Sequence, residues 1–169
     1  EALPLVIEAV GTACTTLEAA LSTGLPNSPM HDADMQVISG NFIVAMPYCV
    51  IDGVDFQHTG KVRKVNAKSL NSVLDTGAVV VISTIGYSPT GEIFNLSFSE
   101  VATHVASALK ADKLLAFIED EGIKDLDGNL ISQLSLTECK EYLATHGSKM
   151  QHDQQQACSA CYLCCLQCV

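Results

Sequence analysis

Three groups of residues carry donor or ligand chemistry. The densest is the chain end, where Cys158, Cys161, Cys164, Cys165 and Cys168 read C-x2-C-x2-C-C-x2-C. Thiolates at this spacing can hold zinc or an iron–sulfur cluster. The same cysteines, three and four apart among Ala157, Ala160, Leu163 and Leu166, also form one stripe of an apolar helix, in which cysteine packs as a small hydrophobe. The second group is Gly91-Glu92-Ile93-Phe94-Asn95-Leu96-Ser97, which leads off a strand into a helix. A helix start offers free N–H groups and a positive dipole end. Asn95 and Ser97 there either meet a ligand carboxylate or amide, or satisfy backbone groups of the turn. The third group is acidic: Glu119, Asp120, Glu121, Asp125 and Asp127. It follows an apolar strand, and open α/β sheets bind ligands beyond the carboxyl ends of their strands. These carboxylates either touch a ligand, a ribose or a metal, or form a solvated turn.

The remaining candidates are sparse. His31, His58, His104, His146 and His152 stand apart and read as surface or internally satisfied imidazoles. No phosphate-binding P-loop, G-x-G-x-x-G, G-x-S-x-G or H-E-x-x-H is present.

The elements that would position these groups alternate in period. Leu3, Ile7, Val10, Cys14, Leu17 and Leu21 lie on one face of a helix, opened by Pro4 and closed by Gly24 and Pro26. Residues 27–34 are a turn-rich connection. Residues 35–46 read as a strand bent at Gly40. Residues 52–65 are polar and extended, with a turn at Gly60. Residues 66–75 form a short helix with Leu70, Val73 and Leu74 inward and Gly77 as its left-handed stop. Residues 78–85 are apolar and β-branched, as in a strand buried on both faces of a parallel sheet. Residues 86–91 form a turn and 92–95 a short strand. Residues 97–110 form a helix with Ser97 and Glu100 as a capping box. Its Val101, Val105 and Leu109 face the core, and Thr103, His104, Ser107 and Lys110 face outward. Residues 113–118 (KLLAFI) make another buried strand, 125–132 a turn around Asp127-Gly128, and 135–145 a helix capped by Ser135 and Glu138. This alternation is that of an α/β sheet with helices on both faces. Residues 1–149 form one domain, and 150–169 a glutamine-rich linker with the cysteine-rich terminal helix.

Composition excludes several classes. The 169 residues carry nine Lys and Arg against nineteen Asp and Glu, a formal net charge of −10. That surface repels nucleic-acid phosphates and anionic membranes. Hydrophobic residues at 48% suffice for a core, so the chain is not a disordered tail. Aromatic residues at 5%, with no Trp, disfavour a base-stacking platform. Cys14, Cys49 and Cys139 are scattered singly, unlike a secreted disulfide scaffold. No signal peptide opens the chain, and no apolar run reaches the roughly 18 residues of a membrane span. The expected setting is cytoplasmic.

Several stretches carry a family resemblance. They are SGNFIVAMP (39–47), DGVDFQHTGKVRKV (52–65), LDTGAVVVISTIGYSPTGEIFNLSFSEVATHVASALKADKL (74–114), EDEGI (119–123) and, before them, Glu8-Ala9-Val10-Gly11-Thr12. Together they resemble the amino acid kinase family, specifically the kinase-like domain of bacterial-type N-acetylglutamate synthases. The resemblance runs to about residue 147. It implies a three-layer α/β/α sandwich with a mainly parallel sheet, incomplete here because the first strand and its glycine-rich phosphate loop would precede Glu1. It further implies a parent acetyltransferase that moves an acetyl group from acetyl-CoA to L-glutamate in a separate domain. The kinase-like portion is regulatory, answering to L-arginine and contributing to a homo-oligomer.

Residue by residue, the resemblance places Asn95 on the substrate-binding asparagine of acetylglutamate kinases and Glu119 on a nucleotide-side aspartate. Ser97 and Ser99 fall where the kinases carry N-x-D after that asparagine. Ser99 cannot replace a catalytic carboxylate, and the kinases' lysines have no counterpart, although phosphoryl transfer needs such charge. No catalytic residue and no cofactor is therefore expected within these 169 residues. Ligand-binding candidates are Asn95, Ser97 and Glu119. The alternatives are an acetylglutamate kinase using ATP, and a non-enzymatic module holding a metal in its cysteine tail.

Overall fold

The computed structural model describes residues 2–23, 35–117, 122–125 and 128–146. The chain forms two compact units, Glu1–Val101 and Ala102–Val169. Expectations for residues 24–34, Glu119 to Glu121, Asp127, Gly147 and the glutamine- and cysteine-rich tail fall outside the described residues.

The first unit opens with α1 (Leu3–Leu21), which takes Pro4 in its first turn, where no N–H is needed. It lies against β1 (Val37–Ser39) and β6 (Val79–Val81), a parallel pair in register Val37 to Val79. None of its residues is fully buried. Leu17, expected on the packed face, is 53% exposed. By length and apolarity this helix also passes for a membrane span, contrary to the expectation that no stretch does.

The expected strand over 35–46 is two strands in different sheets. After β1 the chain breaks at Gly40 and resumes as β2 (Ile43–Pro47). Phe42 is buried at the break, with its ring packed over Gly40: a Cβ there would lie 3.2 Å from Phe42 Cε2. The anticipated bend is thus a change of sheet.

A four-stranded sheet, ordered β5-β2-β7-β8, follows from β2, β5 (Gly60–Val65), β7 (Ile85–Tyr87) and β8 (Ile93–Asn95). The β2–β5 and β7–β8 pairs are antiparallel and the β2–β7 contact is parallel. Between β2 and β5, the short hairpin of β3 (Val50–Ile51) and β4 (Val54–Asp55) turns on Asp52 at φ 51° and Gly53 at φ 81°. Positive φ at both central residues is the turn that matches strand twist.

Gly60 is not the expected turn. It is the buried first residue of β5, where a Cβ would come within 2.8 Å of Phe94 Cβ and 2.9 Å of Met46 O. Gly86, likewise read as turn, sits inside β7. The turn spans 88–92, closed by Ser88 N–H to Glu92 O at 2.9 Å.

The strand expected over 78–85 also divides. Only Val79–Val81 pairs in the first sheet, and its valines are half-buried rather than covered on both faces. α2 (Ala67–Leu74) forms as its caps dictate, with Asn66 Oδ1 accepting from Ser69 N–H and Gly77 at φ 80°. Leu70 is buried at 1% exposure, whereas Leu74, expected inward, is 38% exposed.

α3 (Phe98–Leu109) runs from the first unit into the second. Its most buried positions are Val101, Thr103 and Ala106; Thr103, expected to face outward, is 2% exposed. Residues 113–117 are not the expected buried strand. They join no ladder among the described residues, and Leu115 and Phe117 are 74% and 96% exposed. An apolar run forms a strand only where a neighbour supplies the other half of its hydrogen bonds.

Around the expected 125–132 turn the described residues pair across it. Lys124 bridges Leu130, Asp125 N–H donates to Asn129 O at 2.9 Å, and Gly128 takes φ 84°. α4 (Leu136–His146) carries both halves of its capping box, Ser135 N–H to Glu138 Oε2 at 2.8 Å and Glu138 N–H to Ser135 Oγ at 3.3 Å.

Two predictions follow from this packing. Gly86→Ala would place a Cβ 2.7 Å from Ala45 Cβ and 2.6 Å from Leu96 Cδ1. It should destabilise the chain by about 1–3 kcal/mol, read as a lower urea midpoint with unchanged slope. The hydrogen bonds from Ser135 hold the Glu138 carboxyl below its usual range. Its contribution to α4 should therefore be complete above that range and fade as pH falls through its folded value. Amide exchange in α4 should show this acid limb, and Glu138→Gln should flatten it.

Candidate functional site

The polar segment that carries Asn95 is positioned by a second segment, residues 56–59. Asn95 N–H donates to His58 O at 2.8 Å, and Thr59 bridges Asn95 as a parallel partner. The His58 ring returns the contact, with Nδ1 3.3 Å from Ile93 O. Thr59 N–H donates to Phe56 O at 2.8 Å, and Tyr48 N–H to Thr59 O at 3.3 Å. Asp55 Oδ1 accepts Gln57 N–H at 2.9 Å and holds Gln57 at φ 47°. The bare Cα of Gly60 lets this segment lie directly on Phe94.

A cavity of about 130 Å³ opens at this junction, lined by Ala2, Leu3 and Val6 of the start of α1 and by Phe56, Gln57, His58, Thr59 and Asn95. The N-cap residue of α1 is Ala2, whose side chain offers no oxygen to the first-turn N–H groups at this end. The cavity therefore combines backbone donors and a positive dipole end with an amide, a hydroxyl and an imidazole. That set suits a small molecule with one carboxylate. Among the described residues, no Lys, Arg, Asp or Glu lines it. It is a poor seat for the phosphates of ATP or coenzyme A, which need cationic partners.

Of the three predicted ligand residues, the structure brings only Asn95 to this cavity. Ser97 is exposed and pairs its Oγ with Ser99 Oγ at 2.8 Å, and Glu119 lies outside the described residues. The capping box expected of Ser97 and Glu100 is not made. Glu100 Oε1 instead accepts the Val62 N–H at 2.9 Å. The β2–β5 ladder shifts register between Val44 and Ala45, opposite Val62, and a carboxylate there gives that N–H a partner. Beside it, burial and, second, the negative charge of Glu100 push the Tyr48 hydroxyl above its ordinary value. Lys61 Nζ stands 5.9 Å from the Tyr48 ring, and the ring packs tilted by 42° against Phe56 of the cavity wall, with centroids 5.7 Å apart.

Sequence reasoning set His58 aside as a surface or satisfied imidazole. It is exposed and its Nδ1 is satisfied, yet it lines the cavity. The signal was the Q-H-T-G run, which lies 35 residues before Ile93 and meets it only through the fold. A larger opening, about 280 Å³, lies under α1 between Ile7, Val10 and Cys14 on one side and Ser39, Asn41 and Ser83 on the other. Neither Asn95 nor Ser97 lines it. No group of three or more His, Cys, Asp or Glu residues is placed to hold a metal among the described residues, where Cys14 and Cys49 are free thiols. The five terminal cysteines lie outside them.

The chain belongs to the amino acid kinase family, which it matches over residues 6–156. Its relatives point to one branch. It is 44% identical over 162 residues to an amino-acid acetyltransferase of Azotobacter vinelandii, covering 94% of this chain and 38% of the relative. It is 47% identical over 142 residues to one of Ralstonia nicotianae, covering 84% and 32%. Two solved structures of N-acetylglutamate synthase from Neisseria gonorrhoeae superimpose on it. One, with coenzyme A and N-acetyl-glutamate, has a TM-score of 0.83 at 29% identity, covering 99% of this chain and 36% of the other. One with coenzyme A and L-arginine has a TM-score of 0.86 at 30% identity, covering 98% and 38%. The α/β sandwich and the likeness to the kinase-like part of N-acetylglutamate synthase are thus both supported. The chain spans about a third to two-fifths of the length of these relatives.

Removing the Glu100 carboxylate leaves the half-buried Val62 bond unmade. Glu100→Ala should cost about 1.5–3 kcal/mol, and Glu100→Gln less, in urea unfolding. Glu100→Gln should also lower the Tyr48 titration toward its ordinary value without reaching it, because burial remains. Since a raised Tyr48 favours the neutral phenol in the fold, stability should decline as pH rises past 10, less steeply in Glu100→Gln.

Proposed function

We propose that residues 1–169 are the regulatory kinase-like portion of an N-acetylglutamate synthase, catalytically inert by themselves. The parent would transfer the acetyl group of acetyl-CoA to L-glutamate, opening arginine biosynthesis in the cytoplasm. It would do so as a homo-oligomer whose effector is L-arginine. The observation that carries this reading is the cavity at Asn95. It offers polar groups suited to an amino-acid-type carboxylate, no Lys, Arg, Asp or Glu lines it among the described residues, and Ser99 stands where the kinases place a carboxylate. The synthase relatives and the structures with L-arginine and N-acetyl-glutamate support it.

Asn95, together with the first turn of α1, is the group assigned to the ligand carboxylate. Ser97 steadies Ser99 at the start of α3 and acts on the ligand only through that turn. Glu119 remains assigned by resemblance. Acetyl-CoA belongs to the parent enzyme.

Calorimetric titration of N-acetyl-L-glutamate and L-arginine should give saturable binding. Asn95→Ala should weaken N-acetyl-L-glutamate about tenfold, the worth of one net hydrogen bond at the upper end of its range. No phosphorylation should appear with ATP; ATP-dependent phosphorylation of N-acetyl-L-glutamate would restore the kinase reading.

A further inference from the structure

We propose that His58 sets the specificity of the Asn95 cavity: its Nε2, locked as a hydrogen-bond acceptor, selects ligands that carry an N–H beside their carboxylate. This rests on the reading that the cavity takes an amino-acid-type ligand.

The lock is the contact between His58 Nδ1 and Ile93 O at 3.3 Å. A carbonyl oxygen has no proton to give, so Nδ1 is the donor. A neutral imidazole carries one N–H, and Nε2 is then a bare lone pair. The backbone pins the residue as well, since His58 O accepts Asn95 N–H at 2.8 Å and Thr59 bridges Asn95. The backbone that carries the ring is therefore held against the strand that carries Asn95.

The other polar side chains at the cavity are Gln57, Thr59 and Asn95, each able to donate or accept according to what it meets. Among the described lining side chains, His58 alone has a fixed sense. An amide or guanidinium N–H meets its lone pair productively. An ester oxygen or a second carboxylate meets it lone pair to lone pair. A site built to bond an N–H rejects the isostere lacking it, because its own polar group is left unpaired.

The test uses the whole 169-residue chain at pH 8, where imidazoles are neutral. Long-range 1H–15N correlation should show His58 as the Nδ1–H tautomer, and an Nε2–H tautomer overturns the proposal. Calorimetry then compares N-acetyl-L-glutamate with 2-acetoxyglutarate, in which the amide N–H is replaced by an ester oxygen. The wild type should favour the amide about tenfold, and His58→Leu should bring that ratio close to one. Equal weakening of both ligands by His58→Leu means a purely structural histidine and overturns the proposal. So does a preference that His58→Leu leaves intact. If the wild type binds neither compound, the reading of the cavity itself fails and this one with it. Should His58→Leu not fold, the tautomer of the wild type decides.

Discussion

The hydrogen-bonded pairing of residues 58–59 with Asn95 is the constraint on which the candidate site depends. Two contacts run in opposite senses, Asn95 N–H to His58 O and the His58 ring to Ile93 O, and they tie a loop to a short edge strand. Strand β8 has only three residues and pairs on one side with β7. The loop supplies its second neighbour. Without that neighbour, Asn95 would sit at a frayed strand end. With it, the side chain is presented beside the first turn of α1. Gly60 is the permissive element, since any Cβ would collide with Phe94 and separate the two segments. Glu100 closes the arrangement from the other side by taking the Val62 N–H opposite the shifted register of β2 and β5. A few hydrogen bonds and one missing side chain therefore decide how the candidate site is assembled.

Much of this was legible where a local rule governs. The helices at the chain start, at 67–74 and at 136–146 follow from periodicity and caps, and the Ser135–Glu138 box forms in both directions. Asn95 at a strand end before a helix was legible too. What periodicity could not supply was partner choice. In sequence Gly40 reads as a bend within one strand and Gly86 as the start of a turn. One lies where the chain changes sheet, and the other sits inside a strand where Ala45 and Leu96 leave no room. Likewise KLLAF has a strand's composition, yet residues 113–117 join no ladder, so composition alone does not make a strand.

The candidate site divides in the same way. Asn95 stands out in the sequence because it lies in a motif. His58 reads as a surface or satisfied imidazole and is exposed with its Nδ1 satisfied; its place at the cavity comes from Ile93, a contact across 35 residues. Ser97 stands at a helix start, and its hydroxyl pairs with that of Ser99. Glu100 shows the converse, since a residue placed for a capping box was drawn off by a backbone donor the sequence does not reveal. Family membership sets these residues in a kinase-like frame, and among the described residues no Lys, Arg, Asp or Glu lines the cavity.

The most direct measurement of this account is the map of backbone amide shifts as N-acetyl-L-glutamate is added to the isotopically labelled chain. If the junction is the site, the largest changes fall together on Leu3, Leu5, Gln57, His58, Thr59 and Asn95, and residues 39–41 and 83 at the larger opening under α1 stay still. Changes concentrated at that opening, or no saturable change at Asn95, would contradict it.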